Sequence, residues 1–154
     1  MTEIYLITRI KALPQTVSDL SRDVDLHQHS MQHTDEKAIG GVTSGLINLG
    51  ETVTWKGKHF GIWLTHKSKI TEMEHPDYFV DEMEEGHFKT FRHFHYFKPD
   101  FDGTVMIDRI LYETPYGIIG KWFDQAVLRS YLTRLITARN AVIKKLAEQN
   151  SPVV

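Results

Sequence analysis

The last third of the chain carries the feature that most restricts its fold. Beyond Pro115, apolar residues recur at spacings of three and four for about thirty residues, which is the period of one face of an α-helix. A helix of this length needs a broad apolar surface to cover. Residues 37–113 change to a period of two, which is typical of half-buried β-strands. The two patterns together predict an α+β domain in which the last helix lies across an antiparallel sheet.

Turn-forming residues divide the rest of the chain into elements. Pro14 predicts the start of one short helix, and residues 25–33 form a second short helix or turn. The predicted strands are Ile4–Ala12, Lys37–Gly41, Thr52–Lys58, Gly61–Glu74, Tyr78–Glu84, Phe88–Lys98 and Thr104–Glu113.

Length and composition exclude several classes of protein. The chain has 154 residues and no linker-like segment, which predicts one domain over residues 1–148 and a loose tail over 149–154. The absence of cysteine excludes disulfides and thiolate metal sites. A net charge of −2 argues against a nucleic-acid partner, and no segment reaches the ~20 apolar residues that span a bilayer. We therefore expect a cytoplasmic protein without stable membrane insertion.

The order of the predicted elements is similar to that of a known superfamily, and so are several local segments. These segments are Gly50–Trp55, Ile70–Glu72, His93–Phe97, Gly103–Asp108 and Tyr112–Gly117. They resemble the START-related (SRPBCC) superfamily, which includes the birch pollen allergen and polyketide cyclases, and in particular its small bacterial members of unassigned role. The resemblance implies a helix-grip fold: a curved seven-stranded antiparallel sheet, two short helices and a long C-terminal helix that enclose a hydrophobic cavity.

The pairing of the last two strands predicts which sheet face is the inner one. A turn over residues 99–103 places His93 opposite Asp108 and Arg92 opposite Arg109. Like charges that face each other destabilise a sheet unless water screens them, so the arginine face should lie outside. The face that carries His93 and Asp108 then lines the cavity.

A turn at Glu85 and Gly86 extends this inner face by pairing Val80 with Phe91 and Glu82 with Lys89. The residues predicted to bind a ligand are Trp55, Val80, Glu82, Phe91, His93, His95, Met106, Asp108, Ile110, Tyr112, Trp122 and Phe123. The same pairing leaves an apolar outer face that would suit a homodimer contact. Its members are Phe79, Phe94, Tyr96, Ile107 and Leu111.

His93 and Asp108 form the sharpest chemical pair. A carboxylate beside an imidazole fixes its tautomer and favours its protonated form, as general acid–base chemistry requires. The same pair could instead be a self-satisfied buried contact or hold the polar end of a ligand. Glu82 and His95 are weaker candidates for a polar anchor, since either could lie in a salt bridge or at a solvated rim.

The nine histidines include one cluster with metal-like spacing. His29 and His33 lie one helical turn apart, close to His27, but the carboxylate of a metalloprotease helix is missing between them. We therefore expect an exposed, solvated group, with no metal and no cofactor. Protonation of all nine histidines would move the net charge from −2 to +7.

Three functions are consistent with the sequence. The first is a carrier or sensor that binds a hydrophobic or amphipathic small molecule, lipid or polyketide-like, between the sheet and the last helix. The second is an enzyme of the cyclase, aromatase or dehydratase type that uses His93 and Asp108 in the same cavity. The third is an interaction module with a closed cavity, which would lack a void above the ~300 Å³ typical of ligand sites.

Overall fold

The structure, a computed structural model, describes residues 1–151 and consists of one seven-stranded antiparallel sheet gripped by helices. The order of the strands across the sheet is β1-β7-β6-β5-β4-β3-β2, so that β2 to β7 form a meander and β1 joins β7. The strands are β1 (Thr2–Ile10), β2 (Lys37–Gly41), β3 (Thr52–His59), β4 (Ile62–Glu74), β5 (Tyr78–Glu85), β6 (Thr90–Asp100) and β7 (Gly103–Glu113). The predicted α+β helix-grip fold is confirmed.

Two short helices connect β1 to β2. Helix α1 (Pro14–Arg22) has proline in its first turn, where the missing N–H costs no hydrogen bond. Asp23 ends α1 and caps α2 (Val24–Ser30), because its side chain accepts hydrogen bonds from the backbone N–H groups of Asp25 and Leu26. One residue thus fixes the sharp joint between the two helices.

The C-terminal helix is interrupted by a π-helical segment. Helix α3 (Gly117–Phe123) passes through this segment, Asp124–Leu128, into α4 (Arg129–Gln149). The periodicity of the sequence predicted a continuous helix here and did not reveal the segment. None of these helices, nor any other in residues 1–151, is long and apolar enough to cross a membrane. The predicted loose tail begins where α4 ends, and its residues 152–154 lie outside the described part of the chain.

The pairing of β6 with β7 differs from the prediction by two residues. His95 lies opposite Asp108 and His93 lies opposite Ile110, so the predicted pairing of His93 with Asp108 is wrong. The reason is that both strands continue until Asp100 pairs with Gly103, which leaves a two-residue turn. A shift of two residues keeps every side chain on its predicted face, since side chains alternate with a period of two.

The pairing of β5 with β6 differs from the prediction by an odd number of residues, and this exchanges the inner and outer faces of β5. Asp81 lies opposite His93 and Val80 opposite Phe94, because the ladder resumes only at Arg92 after a longer connection than predicted. Asp81 therefore faces inward, whereas Val80 and Glu82 do not line the cavity. Their predicted place on the inner face is wrong.

On the outer face of the sheet, two arginines cover the ring of Phe94. The guanidinium groups of Arg92 and Arg109 lie 4.6 Å and 5.7 Å from the centroid of the Phe94 ring. Phe79 points inward and Ile107 is buried, so two members of the predicted outer apolar face are not available there. The homodimer itself stays a prediction.

Candidate functional site

A cavity of about 250 Å³, partly open to solvent, lies between the inner face of the sheet and helix α4. Its volume lies below the lower end of about 300 Å³ for small-molecule sites, and its open side distinguishes it from the closed cavity predicted for an interaction module. Six of the nine histidines line it, which is its most unusual feature: His27, His59, His66, His87, His93 and His95. The apolar wall consists of Val24, Ile47, Val53, Trp55, Phe60, Leu64, Ile70, Phe79, Phe88, Phe91, Leu128, Leu132, Leu135 and Ile136.

Four of the twelve predicted ligand-binding residues lie in the cavity wall: Trp55, Phe91, His93 and His95. Asp108 lies directly behind the two histidines and is fully buried.

The other predicted residues lie elsewhere, for two reasons. Met106, Ile110 and Tyr112 face inward but are covered by other core side chains, so they form the core beneath the wall. Trp122 and Phe123 are 69% and 38% exposed, and no residue of α3 lines the cavity. Their predicted role in the lining is wrong, as is that of Val80 and Glu82.

Three neighbouring strands bring together Asp81, His93, His95 and Asp108, which we call the β5–β7 cluster. His93 Nε2 lies 2.8 Å from Asp108 Oδ1, and His95 Nε2 lies 2.7 Å from Asp81 Oδ2. The two imidazole rings stack with centroids 3.7 Å apart, as two residues on the same face of one strand can. His93 and His95 are almost fully buried, so these contacts are shielded from bulk water.

Helix α4 anchors the rear of this cluster. Arg139 Nη1 lies 3.4 Å from Asp108 Oδ1, and Asn140 Nδ2 donates a 2.7 Å hydrogen bond to Asp108 Oδ2. Burial raises the pKa of Asp108, but the hydrogen bond from His93, the proximity of His95 and the charge of Arg139 outweigh it and hold this pKa well below its usual range. Asp108 is therefore a buried carboxylate with a fixed orientation.

The predicted protonation of His93 is wrong. Burial and the neighbouring His95 lower the pKa of His93 to about 4, although the hydrogen bond to Asp108 acts in the opposite direction. His93 is thus a neutral imidazole at pH 7. Burial raises the pKa of Asp81, but the hydrogen bond from His95 and the nearby imidazoles lower it to about 2. The cluster consequently places the neutral imidazole of His93 beside the anionic carboxylates of Asp81 and Asp108.

A second polar group, which we call the Glu36 cluster, comprises His27, Glu36, His59 and Tyr131. His27 Nε2 lies 2.8 Å from Glu36 Oε1, and His59 Nδ1 lies 2.6 Å from the hydroxyl of Tyr131. Burial raises the pKa of Glu36, but hydrogen bonds from His27 and His59 outweigh it and lower this pKa to about 2. Burial and the charge of Glu36 raise the pKa of Tyr131, which keeps its hydroxyl protonated.

The three histidines of the predicted N-terminal group, His27, His29 and His33, do not form one site. His27 lines the cavity and stacks on Trp55 with ring centroids 4.2 Å apart, whereas His29 and His33 are exposed. The expectation of an exposed, solvated group is therefore wrong for His27.

Sequence reasoning missed Asp81, Glu36, His59 and Arg139. Asp81 was missed because the predicted register of β5 placed it on the outer face. No local pattern joins Glu36 to His59, because these residues come together only through the fold. Arg139 did leave a trace in the sequence. It is a lone cation on the apolar stripe of the last helix, one turn from both Leu135 and Ile143, and such a position indicates a buried partner.

Comparison with known proteins gives the fold and no more. No protein-family model matches the chain, and no curated protein sequence matches it. The chain has the same helix-grip fold as several solved structures, three of which are described next.

The protein TTHA0849 from Thermus thermophilus has a TM-score of 0.71 and 15% identity, over 95% of this chain and 99% of that one. Major latex-like protein 151 from Panax ginseng has a TM-score of 0.70 and 16% identity, over 95% and 97%. The KanY protein has a TM-score of 0.73 and 15% identity, over 96% and 99%. The predicted structural resemblance is confirmed along nearly the whole chain.

Proposed function

We propose that the protein binds a small apolar or amphipathic molecule in this cavity, as a carrier or sensor, and holds the polar end of that molecule at one of the two polar clusters. The observation that carries the proposal is a mostly apolar cavity with buried polar groups at defined positions, which is typical of small-molecule sites. The helix-grip fold supports it as well, because this fold places a long helix over a concave sheet.

The volume of the cavity limits the size of the ligand. A space of about 250 Å³ equals the volume of about eight liquid water molecules. A molecule of comparable size would fit inside, and a longer chain would extend through the open side. The favoured ligand therefore has a short alkyl or aromatic body and one polar group.

A series of linear 1-alkanols, titrated by calorimetry, tests this proposal. Each methylene that enters the apolar wall contributes about 0.8 kcal/mol, so affinity should rise about fourfold per carbon until the cavity is full and then level off. The variant Leu132→Trp should fill the cavity and lower the affinity at least tenfold. Ile118→Trp is the matched control, because Ile118 is 86% exposed and lies outside the lining.

An affinity that does not change with chain length, or that Leu132→Trp leaves intact, would contradict binding in the cavity. Circular dichroism and a urea unfolding curve for each variant show whether the fold is retained.

An enzyme of the cyclase, aromatase or dehydratase type is the second candidate. The Glu36 cluster favours it, because the hydroxyl of Tyr131 contacts an imidazole that a buried carboxylate backs, an arrangement suited to moving a proton. His93 and Asp108 remain the pair that the sequence predicted for this function. A chemically changed ligand, recovered by mass spectrometry after incubation, would favour the enzyme over the carrier.

A further inference from the structure

We propose that Asp81, His93 and His95 bind a divalent first-row transition metal ion at the sheet side of the cavity. This proposal goes beyond ligand binding and does not depend on it. The three residues lie on the inner face of β5 and β6, and all three line the cavity. One ligand atom from each lies within 4.8 Å of the other two.

This set of donors matches a known kind of metal site. Two imidazoles and one carboxylate bind Zn²⁺ and Fe²⁺ in proteins and leave further coordination positions free for water or a ligand. Asp81 Oδ2 lies 2.7 Å from His95 Nε2 and 4.0 Å from His93 Nδ1, so small side-chain movements would place all three atoms around one ion. Within residues 1–151, no other group of three histidine or acidic side chains meets the same distance limit.

Asp108 supplies the hydrogen bond that normally orients a metal-binding histidine. An ionised carboxylate only accepts hydrogen bonds, so the 2.8 Å contact means that His93 Nε2 carries the proton. His93 Nδ1, the nitrogen nearer Asp81, is then unprotonated and free to coordinate. A carboxylate that fixes the far nitrogen of a metal-binding histidine is a recurrent feature of such sites.

The second ring nitrogen of His95 independently supports a bound ion. Its Nδ1 atom is buried without a hydrogen-bond partner, although it lies 3.5 Å from Asp108 Oδ1. While Nε2 donates to Asp81, Nδ1 has only a lone pair to present to the carboxylate. Coordination of an ion by Nε2 would displace the proton that Nε2 donates to Asp81. In the other tautomer the hydrogen lies on Nδ1, which could then donate it to Asp108. The ion would thus satisfy a buried atom that is otherwise left without a partner.

The charges of the site also favour a cation. Within residues 1–151, one arginine or lysine contacts the two carboxylates of the β5–β7 cluster: Arg139 Nη1 lies 3.4 Å from Asp108 Oδ1. These three groups sum to one negative charge. A divalent ion would be attracted by that charge, and Asn140 and Arg139 would hold the rear carboxylate in place as it binds.

Metal titration of the whole protein tests the proposal. The protein is stripped with a chelator and titrated with Co²⁺, which is followed by its visible absorption, and with Zn²⁺, which is followed by calorimetry. We expect one ion per chain. Asp81→Asn and His95→Gln should each weaken binding more than about 100-fold, since loss of a group that only hydrogen-bonds a metal ligand already costs about 10–100-fold.

Two histidine variants are the matched controls. His27→Gln alters the Glu36 cluster and His29→Gln alters an exposed imidazole, and both should keep the wild-type affinity within about threefold. Binding that survives Asp81→Asn and His95→Gln, or that His27→Gln or His29→Gln abolishes, would overturn the proposal. So would a stripped wild-type protein that takes up neither ion.

A measurement on the wild-type protein covers the case in which a variant does not fold. In ¹⁵N NMR of the histidine side chains, Zn²⁺ should shift the imidazole nitrogens of His93 and His95 and leave those of His29 unchanged; the reverse pattern would overturn the proposal. The alkanol series, repeated on stripped protein, shows separately whether the cavity binds apolar molecules. Each of the two proposals can therefore fail without the other.

Discussion

Glu36 shows how one buried residue can depend on partners from several elements. Its carboxylate contacts His27 of α2 and His59 of β3, and its charge also acts on His66 of β4 and Tyr131 of α4. Without these partners, burial would make the charged form costly. The low pKa of Glu36 therefore reports that its partners are in place.

Glu36→Gln should destabilise the protein in a pH-dependent way. The pKa of Glu36 is about 2 in the folded protein and 4.5 in its reference state, so its contribution is fully present above pH 4.5 and is lost as the pH falls towards 2. We expect a loss of at most about 3 kcal/mol at pH 7. The difference between wild type and variant should shrink below pH 4.5, as measured by urea unfolding at several pH values.

Glu85→Gln is the control for this prediction, because Glu85 is exposed and should change stability by no more than about 0.5 kcal/mol. A constant difference between wild type and Glu36→Gln from pH 7 to pH 3 would contradict the assignment.

At the scale of elements, the π-helical segment determines how the C-terminal helix meets the sheet. It buries Asp124, whose carboxylate accepts hydrogen bonds from the hydroxyls of Thr2 on β1 and Tyr112 on β7. A π turn adds a residue to the helix and so rotates the turns before it relative to the turns after it. This rotation places Asp124 inward while Trp122 remains exposed.

Asp124→Ala should therefore weaken the attachment of the helix. It leaves the buried hydroxyl of Tyr112 without its acceptor, which costs about 1–3 kcal/mol. Asp124→Asn keeps an acceptor oxygen and should lose less than half as much. Both values come from urea unfolding, with Asp102→Ala at an exposed turn as the control. Equal losses for Asp124→Ala and Asp102→Ala would argue against the attachment.

The burial of several histidines limits how far the net charge of the whole molecule can change with pH. The swing from −2 to +7 requires all nine to be protonated, yet six of them line the cavity. Burial lowers the pKa of His66 and contributes most to the low pKa of His93. These two resist protonation in mild acid, so the swing of nine charges is an upper limit.

Occupation of the cavity should stabilise the entire fold, because strands β3 to β6 and helix α4 all contribute to its wall. A ligand present at about 100 times its dissociation constant adds about 2.7 kcal/mol to the free energy of unfolding. For a chain of this length, that raises Tm by about 5–10 °C. A thermal scan with the tightest alkanol measures the shift, which Leu132→Trp should abolish; an equal shift in that variant would place the ligand elsewhere.

Local patterns in the sequence determined the elements of this protein and the inner face of β6 and β7. Alternation and helical spacing are properties of neighbouring residues, so they predicted seven strands, a long last helix and the inward direction of His93, His95 and Asp108. The tertiary structure decided the register of β5, the π-helical segment and the grouping of Glu36 with His59. Those features depend on how loops close and on packing between residues far apart in the chain, and a single odd shift in pairing moved Asp81 into the site and Glu82 out of it.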